Sequence, residues 1–183
     1  MNLDKKIANP GPLGLLSFGM TTILLNLANA GIVDMSIVII AMGFAVGGLA
    51  QIIAGVLEFK NGNTFGGTAF TAYGLFWWSF VFIKTNKEVA LDADLTSMGY
   101  YLLLWGLFTL FMFIGTLKHN RITQIVFGSL TLLFFTLAIG DFTGISIITK
   151  IGGVIGILCG LSAFYSAVGT IVNGEFKKEI FKL

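Results

Sequence analysis

The chain has 183 residues, of which 56% are hydrophobic and 11% charged, with a formal net charge of +2 at pH 7. Soluble domains carry roughly one quarter charged residues, so this composition excludes a soluble globular protein and indicates an integral membrane protein. We expect contact with membrane lipid and no nucleic-acid partner.

Apolar stretches long enough to cross a hydrocarbon core of about 30 Å occur six times along the chain. They cover residues 12–30, 36–57, 66–83, 98–117, 122–140 and 148–172. We therefore predict an all-α integral membrane protein in which residues 1–183 form a single domain. It has six transmembrane helices in one bundle per protomer, with short tails at 1–11 and 173–183. A β-barrel is excluded, because segments such as SIVIIAMGFAVGGLAQIIAGVLE do not alternate between apolar and polar residues.

Basic residues predict the orientation. The tails and the second and fourth loops share one side and hold eight of the eleven Lys and Arg residues: Lys5, Lys6, Lys60, Lys118, Arg121, Lys177, Lys178 and Lys182. The other side has the basic residues Lys84, Lys87 and Lys150 and the acidic residues Asp34, Glu88, Asp92, Asp94 and Asp141. The positive-inside rule predicts a multi-pass protein of the inner (plasma) membrane with both termini in the cytoplasm.

The first span begins with both prolines of the chain, in NPGPLGL at residues 9–15. Proline is tolerated in the first turn of a helix, and Asn9 is predicted to be the N-cap. The N–H groups of Leu13, Gly14 and Leu15 would then carry the positive end of the helix dipole and could hold an anion. The alternative, an ordinary helix start, is slightly favoured on physical grounds.

Charged residues are expected only at or beyond the span ends, with Glu58 the closest to a span interior. No metal-ligand spacing, phosphate-binding loop or His/Cys constellation occurs, so we expect neither an enzyme nor a cofactor, and His119 lies in a basic loop. Neutral polar residues are common within the spans. Among them, Asn26 and Gln51 have amides that either bond neighbouring helices or face an aqueous path, and both readings stay open.

Small residues form stripes in two of the spans. The sixth span carries Gly152, Gly156, Gly160, Ala163 and Ala167, and the second carries Gly43, Gly47 and Gly48. Such stripes allow helix backbones to approach closely, within a protomer or between protomers. Ordinary helix packing is a sufficient explanation for them.

Three segments carry a family resemblance over essentially the whole chain. They are NPGPLGLLSFGMTTILLNL, AQIIAGVLEFKNGNTFGGTAFTAYG and LWGLFTLFMFIGTLK, and they resemble the bacterial acetate/succinate transporter family. Its hallmark is Asn-Pro-Ala-Pro-Leu-Gly-Leu, from which this chain departs at Gly11. The resemblance implies a six-span protein that assembles as a homo-hexamer with one pathway in each protomer. It also implies transport of acetate and related small carboxylates, including succinate, coupled to protons in several members.

The resemblance also implies which residues restrict the pathway. Phe18, Tyr73 and Leu130 match an aromatic, a tyrosine and a leucine that form a hydrophobic constriction, and Ala163 matches a position that affects substrate size. Further predicted substrate-binding residues are Asn9, Leu13, Gly14, Leu15, Thr21, Thr22, Asn26, Gln51, Thr68, Thr71 and Thr131. Glu58 is the proton-coupling candidate, because no carboxylate or histidine is expected deeper in the membrane.

Two other functions remain open from the sequence. A urea or short-amide channel would use neutral hydrogen-bond donors equally well. A membrane sensor or assembly factor that transports nothing would have the same composition. The sequence does not distinguish a channel from a proton symporter.

Overall fold

The structure is a computed structural model that describes residues 8–86 and 93–183. The described residues form six long helices, as predicted. They are α1 (Gly11–Asn29), α2 (Ile37–Lys60), α3 (Thr64–Thr85), α4 (Leu95–Gly115, extended by a 3₁₀ turn Thr116–Lys118), α5 (Arg121–Thr143) and α6 (Ser146–Phe176). We call the end at which α1 begins and α6 ends the terminal face, and the other end the opposite face.

Five of the six helices are long and apolar enough to cross a membrane: α1, α2, α4, α5 and α6. The exception, α3, has 22 residues and therefore a length of about 33 Å, which matches the hydrocarbon core. Its sequence is rich in glycine, threonine and aromatic residues, which lowers its hydropathy without shortening it. Large apolar side chains on the bundle surface, such as Leu104 and Phe111, are exposed to the surroundings, as expected for a lipid-facing wall.

Side chains cap three of the helix starts. Asn63 accepts a hydrogen bond from the Gly66 N–H, and Asn120 accepts one from the Thr123 N–H. Asp94 caps α4 by accepting from the Ser97 hydroxyl and N–H, and these bonds lower the pKa of the Asp94 carboxyl. These caps satisfy N–H groups that have no partner inside their own helix.

The middle of α2, Gly43–Ala50, is π-helical. Gly43 and Gly47 lie against the Trp77 ring of α3, where an added Cβ would come within 3.3 Å and 2.8 Å of ring atoms. The neighbouring Trp78 donates its indole N–H to the Phe44 carbonyl at 3.0 Å. The missing side chains let two tryptophans pack on the widened turns, which the small-residue stripe alone did not predict.

Close approach of α1 and α6 forms the most extensive helix pair of the bundle. A Cβ added at Gly19 would lie 2.8 Å from the Gly160 carbonyl oxygen, and one added at Gly156 would lie 2.1 Å from the Asn26 side chain. The predicted packing role of the sixth-span stripe is therefore confirmed within the protomer. This contact fixes α1, which carries much of the site described below.

The C-terminal segment differs from the predicted tail at 173–183. The helix α6 continues to Phe176, and the remaining residues fold back along it. The Asn173 side chain accepts from the Ile180 and Phe181 N–H groups and donates to the Phe181 carbonyl, and Tyr165 donates to the Lys182 carbonyl. These hydrogen bonds hold the end of the chain in place, because they give its backbone groups partners although the helix has ended.

Candidate functional site

Two cavities lie one after the other inside the bundle. The large cavity has a volume of about 120 Å³, and the small cavity has a volume of about 20 Å³. A cavity of about 10–15 Å³ already holds one water molecule, so the small cavity has room for about one and the large cavity for several. The small cavity is lined by Leu15, Phe18, Gln51, Ala69, Phe70, Tyr73, Val126, Phe127 and Leu130.

Three residues line both cavities: Phe18, Tyr73 and Leu130. They come from α1, α3 and α5, and all three are buried. The Phe18 and Tyr73 ring centroids are 6.0 Å apart. Because these side chains stand between the cavities, they form an apolar constriction, which we call the ring.

Tyr73 is fixed in the ring by its neighbours. Its hydroxyl lies 2.9 Å from the Thr109 hydroxyl of α4, which also donates to the Trp105 carbonyl. Its aromatic ring packs against Phe108 at a centroid distance of 5.6 Å. Edge and tilted contacts of this kind hold an aromatic side chain in one orientation.

The large cavity reaches the opposite face of the bundle. Its lining at that end consists of residues from helix ends and one loop: Asn29, Met35, Lys84, Met98, Asp141 and Thr149. The sequence predicted Lys84 and Asp141 at or beyond the ends of their spans. Lys84 lies in the last turn of α3 and Asp141 in the last turn of α5, because both helices continue beyond the apolar stretches that predicted them.

Some of the predicted neutral polar residues line the cavities. Thr22 and Asn26 line the large cavity, and Gln51 lines the small one. The Asn26 amide donates to the Thr22 carbonyl and accepts from the Asn29 amide. Groups of the same helix therefore satisfy part of its hydrogen-bonding capacity. Among the described residues, neither amide atom of the buried Gln51 has a hydrogen-bond partner. Gln51 is therefore the buried polar group of this region that most needs a ligand or water.

Other predicted binding residues lie between helices and line neither cavity. Thr21 donates to the Ser17 carbonyl and packs against Gly47, and Thr71 lies against Gly55. Thr131 donates to the Phe127 carbonyl. Thr68 is half-buried, and Ala163 is fully buried. The helical period alone did not reveal which of these side chains face the pathway.

The start of α1 differs from the prediction in one residue. The N-cap is Pro10, and Asn9 lies one position earlier, where its side chain accepts from the Gly11 N–H at 2.9 Å. The Gly14 N–H donates to the Pro10 carbonyl and so belongs to the helix. Leu13 is exposed, whereas Leu15 lines the small cavity with its side chain. The Gly14 N–H, which was predicted to hold an anion, is therefore already bonded within the helix.

Glu58 is buried within α2 and lines neither cavity. It accepts a hydrogen bond from the Asn63 amide at 2.8 Å. A Cβ added at Gly11 would lie 3.3 Å from its Oε1, and one added at Gly66 would lie 3.1 Å from its carboxyl carbon. The carboxylate therefore lies near the starts of α1 and α3, where the helix dipoles favour a negative charge.

In residues 8–86 and 93–183, no three His, Cys, Asp or Glu side chains cluster in a way that could hold a metal ion. His119 packs edge-on against Phe65, with ring centroids 4.9 Å apart. The cavity walls near the ring are aromatic and aliphatic, with neutral amides and hydroxyls. This chemistry suits the passage of a small polar solute better than a bond-breaking reaction.

Residues 2–179 match the family model described as the GPR1/FUN34/yaaH family. The chain belongs to this family. The resemblance inferred from the NPGPLGL segment is confirmed, because the match covers nearly the whole chain.

Individual relatives agree with the family assignment. The chain is 53% identical over 182 residues to the succinate-acetate/proton symporter SatP of Escherichia coli K12, covering 98% of this chain and 97% of the relative. It is 36% identical to acetate permease A of Emericella nidulans, covering 93% of this chain and 64% of the relative. A solved structure titled as that of the bacterial acetate channel SatP superposes with a TM-score of 0.95 at 51% identity. This match covers 97% of this chain and 99% of that chain.

Many residues that line the large cavity were not predicted as site residues, among them Trp77, Lys84 and Asp141. Trp77 follows Tyr73 by one helical turn and so lies on the same face of α3, a signal that could have found it. Lys84 and Asp141 directly follow the predicted spans 66–83 and 122–140, and the helical period of α3 and α5 extends to them.

Proposed function

We propose that this chain carries small carboxylates, chiefly acetate and also succinate, across the membrane. The pathway runs through the large cavity, past the ring and through the small cavity. One observation carries the proposal: the three residues that the sequence predicts as a constriction are the three that line both cavities. The relatives named for acetate and succinate support the choice of solute.

The chemistry of the walls explains how a small carboxylate would pass. Lys84 gives the large cavity a cation, and Asn26, Asn29 and Thr22 add amide and hydroxyl groups. At the ring, a solute must leave most of its water, and an apolar constriction resists the passage of strongly hydrated ions. Gln51 on the far side supplies amide atoms that replace part of the lost hydration.

A urea or short-amide channel is the second candidate, because amides and hydroxyls bind neutral solutes as well. The lysine in the large cavity favours an anion over such solutes. Relatives are named both as a proton symporter and as a channel. The dependence of acetate flux on a proton gradient distinguishes these two modes.

We further propose that the protein lies in the plasma membrane with its terminal face in the cytoplasm and assembles as a homo-hexamer of single-domain protomers. The excess of Lys and Arg at the terminal face supports this orientation. The exposed apolar walls of the helices leave ample surface for lipid and for neighbouring protomers. Both cavities are lined by residues of a single protomer, which supports a separate pathway in each protomer.

Flux into liposomes tests this function directly. Purified protein is reconstituted, and entry of labelled acetate, succinate and urea is compared with entry into protein-free liposomes. The proposal predicts acetate flux well above the protein-free value and little urea flux. Leu132→Ala, which changes an exposed side chain two residues from Leu130, is expected to behave as the unchanged chain does. Urea flux without acetate flux would favour the second candidate, and no flux of either would overturn transport.

A further inference from the structure

The mouth of the large cavity contains two opposite charges, Lys84 at the end of α3 and Asp141 at the end of α5. Lys84 is exposed, and its ammonium lies 5.5 Å from the centroid of the Phe80 ring, over the cavity wall. Asp141 is half-buried, and its carboxyl group lies within electrostatic range of the Lys84 ammonium. Both side chains line the mouth of the same cavity, so the ammonium can also meet the carboxylate of an entering solute.

We propose that Lys84 captures the carboxylate of the entering solute and that Asp141 competes with the solute for the Lys84 charge. This inference rests on the proposed function, because it assigns a regulator to the same pathway. When Asp141 is ionised, it attracts the Lys84 ammonium and leaves it less available to an incoming carboxylate. When Asp141 takes up a proton, this competition ceases, and capture becomes stronger. Acidification on the opposite face therefore increases the affinity for a carboxylate.

Other described ionisable groups lie at this end of the bundle, but none of them lines the large cavity. Among the residues that the structure describes, they are Asp34 before α2, Asp94 and Tyr100 at the start of α4, and Lys150 at the start of α6, whereas Lys87, Glu88 and Asp92 lie outside the described residues. Of the charged residues that the structure describes, only Lys84 and Asp141 line the large cavity. Lys150 lies beside Gly31 in the turn after α1. It is therefore a matched control: a lysine at the same face that does not line the cavity.

The test measures initial acetate uptake by intact cells in which the proposed outer mouth faces the medium. KM is expressed as acetate anion, and uptake by cells without the protein is subtracted. At pH 7.5, Asp141→Asn is expected to lower KM about threefold and to flatten its dependence on pH, whereas Lys84→Gln is expected to raise KM by about threefold to tenfold. Lys84→Arg keeps the charge and should recover most of the affinity that Lys84→Gln loses, and the control Lys150→Gln should keep the wild-type KM.

The double variant distinguishes competition from a merely structural effect. Because Asp141 acts through Lys84, Asp141→Asn should change KM much less in the Lys84→Gln background than in wild type. An unchanged or raised KM in Asp141→Asn, with normal amounts of protein in the membrane, would overturn the inference. An equal effect in both backgrounds would also overturn it. Absence of acetate uptake by the wild-type chain would instead overturn the proposed function.

Discussion

The two cavities differ in size and in the groups that line them, although they share the ring. The large cavity, about 120 Å³, carries both charges and most of the amides. The small cavity, about 20 Å³, is lined by apolar side chains and Gln51. This difference indicates that solute is collected and selected by charge on one side of the ring, and that the other side is the narrow part of the pathway.

The small cavity has room for about one water molecule, so the structure shows a closed passage. A carboxylate can pass only if side chains of the ring or of the small cavity move. Leu130 is not held by a hydrogen bond of its side chain, whereas Tyr73 is bonded to Thr109. We therefore expect Leu130 and Phe18 to move during passage and Tyr73 to stay in place.

The largest effect is expected from Gly156→Val, which displaces a lining residue of the large cavity and none of the small one. An added Cβ would lie 2.1 Å from the Asn26 side chain, so Asn26 must be displaced or α6 must move away from α1. Overpacking of this kind typically costs about 1–3 kcal/mol of stability. Thermal unfolding in detergent and acetate flux should both show the loss. Gly174→Val, where a Cβ meets nothing within 4 Å, should preserve both.

The next effect is expected from Leu130→Ala, which removes part of the barrier between the cavities. Truncation takes apolar volume from the ring, so flux of bulkier carboxylates such as succinate should rise relative to acetate, and leak measured as ion conductance should also rise. Phe18→Ala should act in the same direction. Wild-type selectivity in both variants, with normal folding, would show that the ring does not limit passage.

A smaller effect is expected from Tyr73→Phe, which keeps the aromatic ring and removes one hydrogen bond. The Thr109 hydroxyl still donates to the Trp105 carbonyl, so we expect a loss of only about 0.5–1.5 kcal/mol and unchanged selectivity. Melting temperature and the succinate-to-acetate flux ratio measure the two quantities. A large change in selectivity would show that the hydroxyl, rather than the ring, contacts the solute.

The smallest effect is expected from Glu58→Gln, because Glu58 lines neither cavity. A glutamine oxygen can still accept the hydrogen bond from Asn63. Substantial acetate flux should remain, and lower external pH should speed uptake in both variant and wild type. Loss of proton-coupled uptake with intact folding and acetate exchange would instead identify Glu58 as the coupling site.

Much of the fold followed from the sequence, because apolar length and glycine stripes report directly on spans and packing. The stripe of α6 packs against α1 as expected, and all six helices lie within a few residues of the predicted spans. The π-helical part of α2 had no signal of its own, since its glycines also fit an α-helix. Lys84 and Asp141 lie just beyond the predicted spans, because a hydropathy pattern ends at a charged residue even where the helix continues.

The site was predicted unevenly for a related reason. Family resemblance supplied Phe18, Tyr73 and Leu130, which sequence physics alone would have assigned to the core. Thr21 and Thr22 are adjacent, yet only Thr22 lines a cavity, because successive helical residues point about 100° apart. Composition cannot choose between such neighbours without the positions of the other helices.

Thiol labelling across the ring tests the central claim most directly. In a Cys159→Ala background, Thr22→Cys and Leu15→Cys place thiols in the large and small cavities, on either side of Phe18 in α1. A small membrane-impermeant thiol reagent is added to the medium of intact cells. We predict that Thr22→Cys is labelled and Leu15→Cys is not, and that Leu15→Cys becomes labelled when Leu130→Ala opens the ring. Equal labelling of both thiols with the ring intact, or protection of Leu15→Cys after the ring is opened, would contradict the account.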